Sequence, residues 1–271
     1  MVKERGDPTV EDTYKDGVVQ ARSPMWGGMS GSTIKMVGII TMLIDHIGFA
    51  LVARVLVFKV SNGEYLWELY TVYEILRGIG RLGFPIFCFL LVEGFGRTRS
   101  KVKYAMRLGA FALISEIPFD LALTGRVLDF DYQNVFFTLL LGFLAMCVFD
   151  FVGKKRIPKI PAIVIDLAAL AAFMLAAKIV KTDYDYMGVL TIAVMYALRS
   201  RKVWSMAGGC AVLCLMNLNE LPAFFALIPV ALYNGKRGWR LKYFFYAFYP
   251  VHLFLLWSVV QLLGLGSVRV L

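Results

Sequence analysis

The chain holds two histidines, and each lies inside an apolar stretch long enough to cross a membrane. His46 follows Asp45 in TIKMVGIITMLIDHIGFALVARVLVF, and His252 lies in FYAFYPVHLFLLW. An ionisable side chain in hydrocarbon is costly and by default marks a functional site. Histidine takes and returns protons near neutral pH. His46 is therefore a candidate general base for an attacking amine or hydroxyl, with Asp45 beside it and His252 as a further polar member. The alternative is a histidine hydrogen-bonded between helices for packing. Adjacent helical residues point about 100° apart, so Asp45 need not touch His46 and is free to pair across helices.

Other polar residues could join such a site. Arg77 and Arg81 stand one turn apart in LRGIGRLGFPIFCFLLVEGF, at the outer end of the second apolar segment. They could grip a phosphate or carboxylate in bidentate fashion, anchor at the interface, or neutralise Asp45 or Glu116. Glu116 and Asp120 are spaced i, i+4 in KYAMRLGAFALISEIPFDLAL, with Pro118 between them. A proline kinks a helix and frees carbonyls, which is tolerated at membrane depth where the helix lines a cavity. These two acids would contact substrate or pair with an arginine of the second segment. Asn134, with Gln133 and Thr138 in QNVFFTLLLG, could contact substrate or bond between helices. Lys35 opens the first segment, where it would either meet cofactor phosphates or snorkel to the interface. The cysteines, Cys88, Cys147, Cys210 and Cys214, form no CxxC pair and read as small packing residues. No metal is expected: the chain has no HExxH or other metal-ligand spacing, and it also lacks a P-loop and GxSxG.

The elements that must position these residues are membrane helices. The chain is 59% hydrophobic over 271 residues, and repeated apolar runs set it apart from soluble domains. The reading is all-α: a polytopic bundle of about nine transmembrane helices, near 34–58, 78–96, 103–123, 132–152, 161–180, 187–199, 203–218, 221–234 and 243–264. The sixth and eighth are short for full spans. Residues 1–33 read as a mobile polar tail with no cleaved signal peptide, and 34–271 as one domain.

The net charge of +10 invites a nucleic-acid reading, but the basic residues sit in short turns between apolar segments. Alternate loops are basic: 97–103, 154–159, 199–202 and 236–242. The intervening loops are acidic, with Glu64, Glu68, Glu74, Asp129, Asp131, Asp183, Asp185 and Glu220. This alternation predicts a cytoplasmic N-terminus, an outside C-terminus and a cell-membrane location, with membrane lipids as partners and no nucleic acid. The first, third and ninth helices then run the same way. At 1.5 Å per residue, His46, Glu116 and His252 fall about 13–20 Å from the inner edge, in one layer near the midplane.

Several motifs in order resemble the TraX family: IDHIG (44–48), GRLGFPIFCFLLVEGF (80–95), KYAMRLGAFALISEIPFDLAL (103–123), QNVFFTLLLG (133–142), YMGVL (186–190), ALYNGKRG (231–238) and FYAFYPVHL (245–253). The resemblance covers about residues 34–258. It implies an integral membrane N-acetyltransferase that uses acetyl-CoA and acts on the N-terminus of a pilin-like protein. The layout of Lys35 and His46 is also similar to membrane acyltransferases of family 3 and to the heparan-α-glucosaminide N-acetyltransferase group. It implies that Lys35 contacts CoA phosphates; family 3 has an arginine followed by glycine where this chain has Lys35 and Met36. In the mechanism so implied, His46 is the base, Asp45 orients it, and Arg81 or a polar group of the third or fourth helix holds the oxyanion. A route through acetyl-His46 is the covalent variant. O-acylation of a glycan or lipid head group uses the same histidines. A proton-coupled transporter or an assembly scaffold are the readings outside enzymology. The first predicts proton-coupled flux without CoA, and the second tolerates loss of His46.

Overall fold

The computed structural model describes residues 27–239 and 242–268. Among these residues nine helical rods follow one another: α1 Gly31–Ser61, α2 Trp67–Arg97, α3 Lys101–Leu123, α4 Val135–Lys154, α5 Lys159–Val180, α6 Asp185–Ala197, α7 Lys202–Met216, α8 Leu218–Ala231 and α9 Lys242–Leu262. They match the nine apolar segments in order. The helices α1, α2, α4, α5 and the Phe244–Leu262 part of α9 are long and apolar enough to cross a membrane.

Local chemistry sets the helix starts. Ser30 accepts a hydrogen bond from the Thr33 amide (3.2 Å), Ser100 from Lys103 (3.2 Å) and Asn134 from Phe136 (3.0 Å). Each satisfies an amide that a helix start leaves free. Pro118 does not end α3, which runs on to Leu123. α1 contains one π turn, Gly48–Val52, directly after His46. Such wide turns are rare and cluster at functional sites.

The two short segments are accommodated differently. In α6, seven residues from Gly188 to Tyr196 are buried, so the helix is surrounded by protein rather than lipid. In α8, nine residues form a 3-10 stretch through Pro222, Leu218–Ala226, before five α-helical ones. The greater rise of a 3-10 helix carries this short segment about 25 Å. At the other extreme, only Ala177 of α5 is buried, which makes it a peripheral, lipid-facing helix. Close packing in the centre relies on small residues: a Cβ at Gly142 of α4 would strike Ile192 of α6, and one at Gly209 of α7 would strike Met195.

The basic loops gather at one end of the bundle. The amides of Gly31 and Ser32 bond the carbonyls of Lys236 (2.8 Å) and Arg237 (3.0 Å), Arg97 donates to the Tyr233 hydroxyl (2.9 Å), and Lys202 lies over the Tyr233 ring. Lys101 bonds Asp150, which also accepts from Lys154 at 2.7 Å. Residues 27–33 are thus not tail, and the Gly27 carbonyl accepts from the Asn234 side-chain amide at 2.6 Å. Met29 pairs with Tyr233, and Gly31 already begins α1, because the loop after α8 supplies their backbone partners. The rest of the expected tail, residues 1–26, lies outside the described residues. At the opposite end, Gln133 pairs with Thr182, and Lys181 meets Asp131 at 2.5 Å.

Candidate functional site

The fold brings the two histidines into contact. Nδ1 of His46 lies 2.6 Å from Nε2 of His252, with the rings nearly parallel at 12°. Nδ1 of His252 lies 2.7 Å from the carbonyl oxygen of Phe248, one turn earlier in α9. A carbonyl only accepts, so that nitrogen carries the hydrogen. In a neutral His252, Nε2 is then the acceptor, and the hydrogen between the rings belongs to Nδ1 of His46. This leaves Nε2 of His46 with a free lone pair. The backbone of α9 thus fixes the tautomer of a ring on α1, since the bond made by one ring nitrogen decides which nitrogen carries the hydrogen. Tyr249, 3% exposed, packs its ring edge-on to both imidazoles, at 5.9 and 5.6 Å.

Asp45 makes no hydrogen bond to His46. Its carboxylate accepts from Arg77 at 2.6 Å, and the Arg77 guanidinium also lies over the Phe49 ring. Arg77 stands about a third of the way along α2 rather than at its outer end, because α2 begins at Trp67 and not near residue 78. Gly80 makes the Asp45–Arg77 pair possible: a Cβ there would overlap the Asp45 carboxylate. Gly80→Ala should therefore push Asp45 off Arg77 and destabilise the protein by about 1–3 kcal/mol. A melting temperature unchanged from wild type would show that Asp45 has room to move.

Arg81 pairs with Glu220 at 2.7 Å. Glu220, counted by sequence among the outer acids, is 1% exposed, because the 3-10 start of α8 turns it inward. Glu116 accepts from Asn134, whose amide also donates to the Ala112 carbonyl at 2.8 Å. Asn134 is fully buried and caps α4, so it locks α3 to α4. Asp120, also fully buried, accepts from the Asp129 amide at 2.8 Å and organises the loop after α3. The proximity of Glu116 and Asp120 across Pro118 thus serves two separate contacts.

A cavity of about 400 Å³ follows α1 from Gly31 to Met42, about 16 Å along the helix. Lys35, Arg97, Arg107 and Arg237 line its basic end, with Glu93 among them. Lys35 Nζ sits 4.8 Å above the Phe245 ring. Apolar side chains, among them Phe87, Leu91, Phe136 and Leu139, line the middle. Met42 and Tyr249 close the far end, and His46 follows Met42 by one helical turn. Such a space suits a ligand with an anionic head and a slender arm about as long as this walled stretch of α1. Among the described residues, no group of three His, Cys, Asp or Glu side chains is placed to hold a metal ion.

Two functional features escaped the sequence. Arg54 is 2% exposed and donates to three carbonyls: Ala50 (2.6 Å), Leu123 (2.9 Å) and Val268 (3.2 Å). It ties the π turn of α1 to the end of α3 and to the stretch after α9. Tyr249 reads in sequence as one more apolar-belt aromatic, and only its contacts show it between cavity and histidines. An uncompensated arginine inside the first apolar run was the one available signal for the former.

Comparison with known proteins identifies the family. The family described as TraX protein matches residues 30–260, a range that takes in both histidines, both arginine pairs and the cavity. The chain is 32% identical over 253 residues to the "Probable fimbrial assembly protein FimC, serogroup H1" of Dichelobacter nodosus, covering 86% of this chain and 97% of that protein. No solved structure matches significantly. With nearly its whole helical body matched, this chain belongs to the TraX family.

Proposed function

We propose that the protein is an integral membrane acetyltransferase, moving an acetyl group from acetyl-CoA to an amine with His46 as general base. The observation that carries this reading is the chain from the Phe248 carbonyl through His252 to His46. It leaves Nε2 of His46 a free base one turn beyond a cavity with a cationic mouth. The reading includes nine membrane crossings with the basic end in the cytoplasm, supported by the gathering of lysines and arginines at that end. Acetyl-CoA would then enter from the cytoplasm, its phosphates among Lys35, Arg97, Arg107 and Arg237, and its thioester directed toward Tyr249 and the histidines.

His46 takes the proton from the amine nitrogen as the new C–N bond forms, and returns it to the departing thiolate sulfur as the C–S bond breaks. His252 shares the positive charge that arises on His46, because the proton between the rings can shift toward it while the Phe248 carbonyl holds its other N–H. Asp45 supports His46 through the field of its pair with Arg77 rather than by direct contact. Arg81 spends one nitrogen on Glu220 and keeps further N–H donors for the tetrahedral oxyanion. A pilin-like acceptor is supported by the family and by the relative's name, a fimbrial assembly protein.

The test is protein reconstituted in lipid with radiolabelled acetyl-CoA and an amine-bearing peptide. Label should pass to the peptide with release of CoA thiol. Protein that neither binds nor consumes acetyl-CoA sinks the reading. The cationic mouth has its own prediction. Lys35→Ala with Arg237→Ala should raise KM for acetyl-CoA by about tenfold or more with kcat little changed, about 1.4 kcal/mol per tenfold. With acetyl-pantetheine, which has lost the nucleotide phosphates, variant and wild type should converge. A penalty that persists there would place these cations elsewhere in the mechanism.

A further inference from the structure

The hairpin that joins α1 and α2 is longer than the membrane requires. Each helix has 31 residues, about 46 Å, against a hydrocarbon core of about 30 Å. Their basic ends are tied down with the other helices. The excess is therefore at the opposite end. The Arg54–Leu123 bond sets the level, since Leu123 is the last residue of α3. Residues 55–61 continue α1 about 10 Å beyond that level. Leu76 faces Gly48, so counting back along α2 puts Tyr70 level with Arg54 and Trp67–Leu69 beside residues 55–57. Every residue from Ser61 to Glu68 is exposed.

Val57, Phe58 and Val60 give the arm one exposed apolar side, and its tip carries a different chemistry. Tyr65, Trp67, Tyr70 and Tyr73 form a row of ring contacts, with centroids 4.9, 6.4 and 6.3 Å apart in turn. Tyr65 and Trp67 are 60% and 65% exposed. Glu64, Glu68 and Glu74 are interleaved with them. Lys59 is the single cation beyond Arg54 on the arm, and it is already paired with Glu64 at 2.9 Å. Interfacial aromatic belts sit at the level of the helix ends, and membrane surfaces attract lysine and arginine rather than rows of carboxylates. Exposed apolar surface set among polar groups marks an interaction site. Aromatic faces beside carboxylates that outnumber the one lysine complement a chain of ammonium and guanidinium groups, through cation–π contact and charge together.

We infer that the outer arm formed by residues 55–70 docks a lysine- or arginine-rich segment of the acceptor polypeptide. This rests on the acetyltransferase reading for the word acceptor, but its binding test does not. Full-length protein in zwitterionic-lipid nanodiscs is titrated with a fluorescent lysine-rich peptide, and with its glutamine-for-lysine counterpart. The lysine peptide should bind at least about tenfold more tightly, and raising salt should erase most of the difference. Trp67→Ala, and the double change Glu64→Gln, Glu68→Gln, should each weaken it by about tenfold or more. These positions are exposed, so the variants should melt as wild type does. His46→Ala should bind the peptide unchanged, which separates this inference from the proposed chemistry. Equal binding of the two peptides overturns it, as do arm variants that bind like wild type. So does quenching of Trp67 by headgroup-labelled lipid that peptide leaves undisturbed, since the arm would then be a membrane anchor.

Discussion

Replacing His46 by glutamine is expected to lower the rate of acetyl transfer by about 10²- to 10⁴-fold, with the affinity for acetyl-CoA unchanged. Glutamine retains an N–H to donate to Nε2 of His252, so the ring stack on α9 keeps a partner. It has no lone pair that can take a proton from an ammonium-forming nitrogen. The cavity residues that would hold the nucleotide stand on the far side of Met42 and Tyr249 and are not touched. The loss should therefore appear in kcat and leave KM for acetyl-CoA alone, and thiol release measured across pH should lose its basic-group limb. His252→Ala should cost less, because it frees the tautomer of His46 without removing the base. Full turnover in His46→Gln would show that another group takes the proton.

The largest stability effect is expected at Arg81. Arg81→Met leaves the Glu220 carboxylate, 1% exposed, without its counter-charge. A buried ion pair broken on one side costs about 3–5 kcal/mol, because the remaining charge stays desolvated. One oxygen of Glu220 already lacks a hydrogen-bond partner, so little is left to absorb the change. The same reasoning gives the companion result: Arg81→Met combined with Glu220→Leu should recover most of the loss, since no charge then remains buried. Thermal unfolding of the purified proteins in one detergent measures both. A double variant no more stable than the single one would place the effect in packing around Arg81 instead.

The sequence showed the helices and the polar layer because both depend on simple periodic quantities. Apolar runs mark the rods, alternating loop charge orders their directions, and similar counts of residues from one edge bring His46 and His252 to one layer. Partners depend on angles that no count supplies. The likeness in depth of Glu116 to the histidines did not reveal that Asn134 would claim its carboxylate. Glu220 sits next to a proline in a short segment, and nothing in LNELPAFFA announces a 3-10 stretch that turns the acid inward. The first third of α2 was missed because Glu68, Glu74 and Arg77 interrupt its hydropathy, and nothing in the sequence announced that Asp45 would neutralise Arg77. Pro118 was read as a kink inside a segment that runs on to 123. It removes only one hydrogen bond, and α3 continues through it.

The π turn at Gly48–Val52 takes in one residue more than an α-helical turn, so it rotates the two parts of α1 relative to each other by about 100°. On one side His46 is held by α9; on the other Arg54 is held by the end of α3 and by Val268. Both holds are met together only with this number of residues between them. Deleting one residue would restore regular helix geometry and still forfeit one hold or the other. What this stretch of α1 must conserve is its length, more than the identity of any side chain within it.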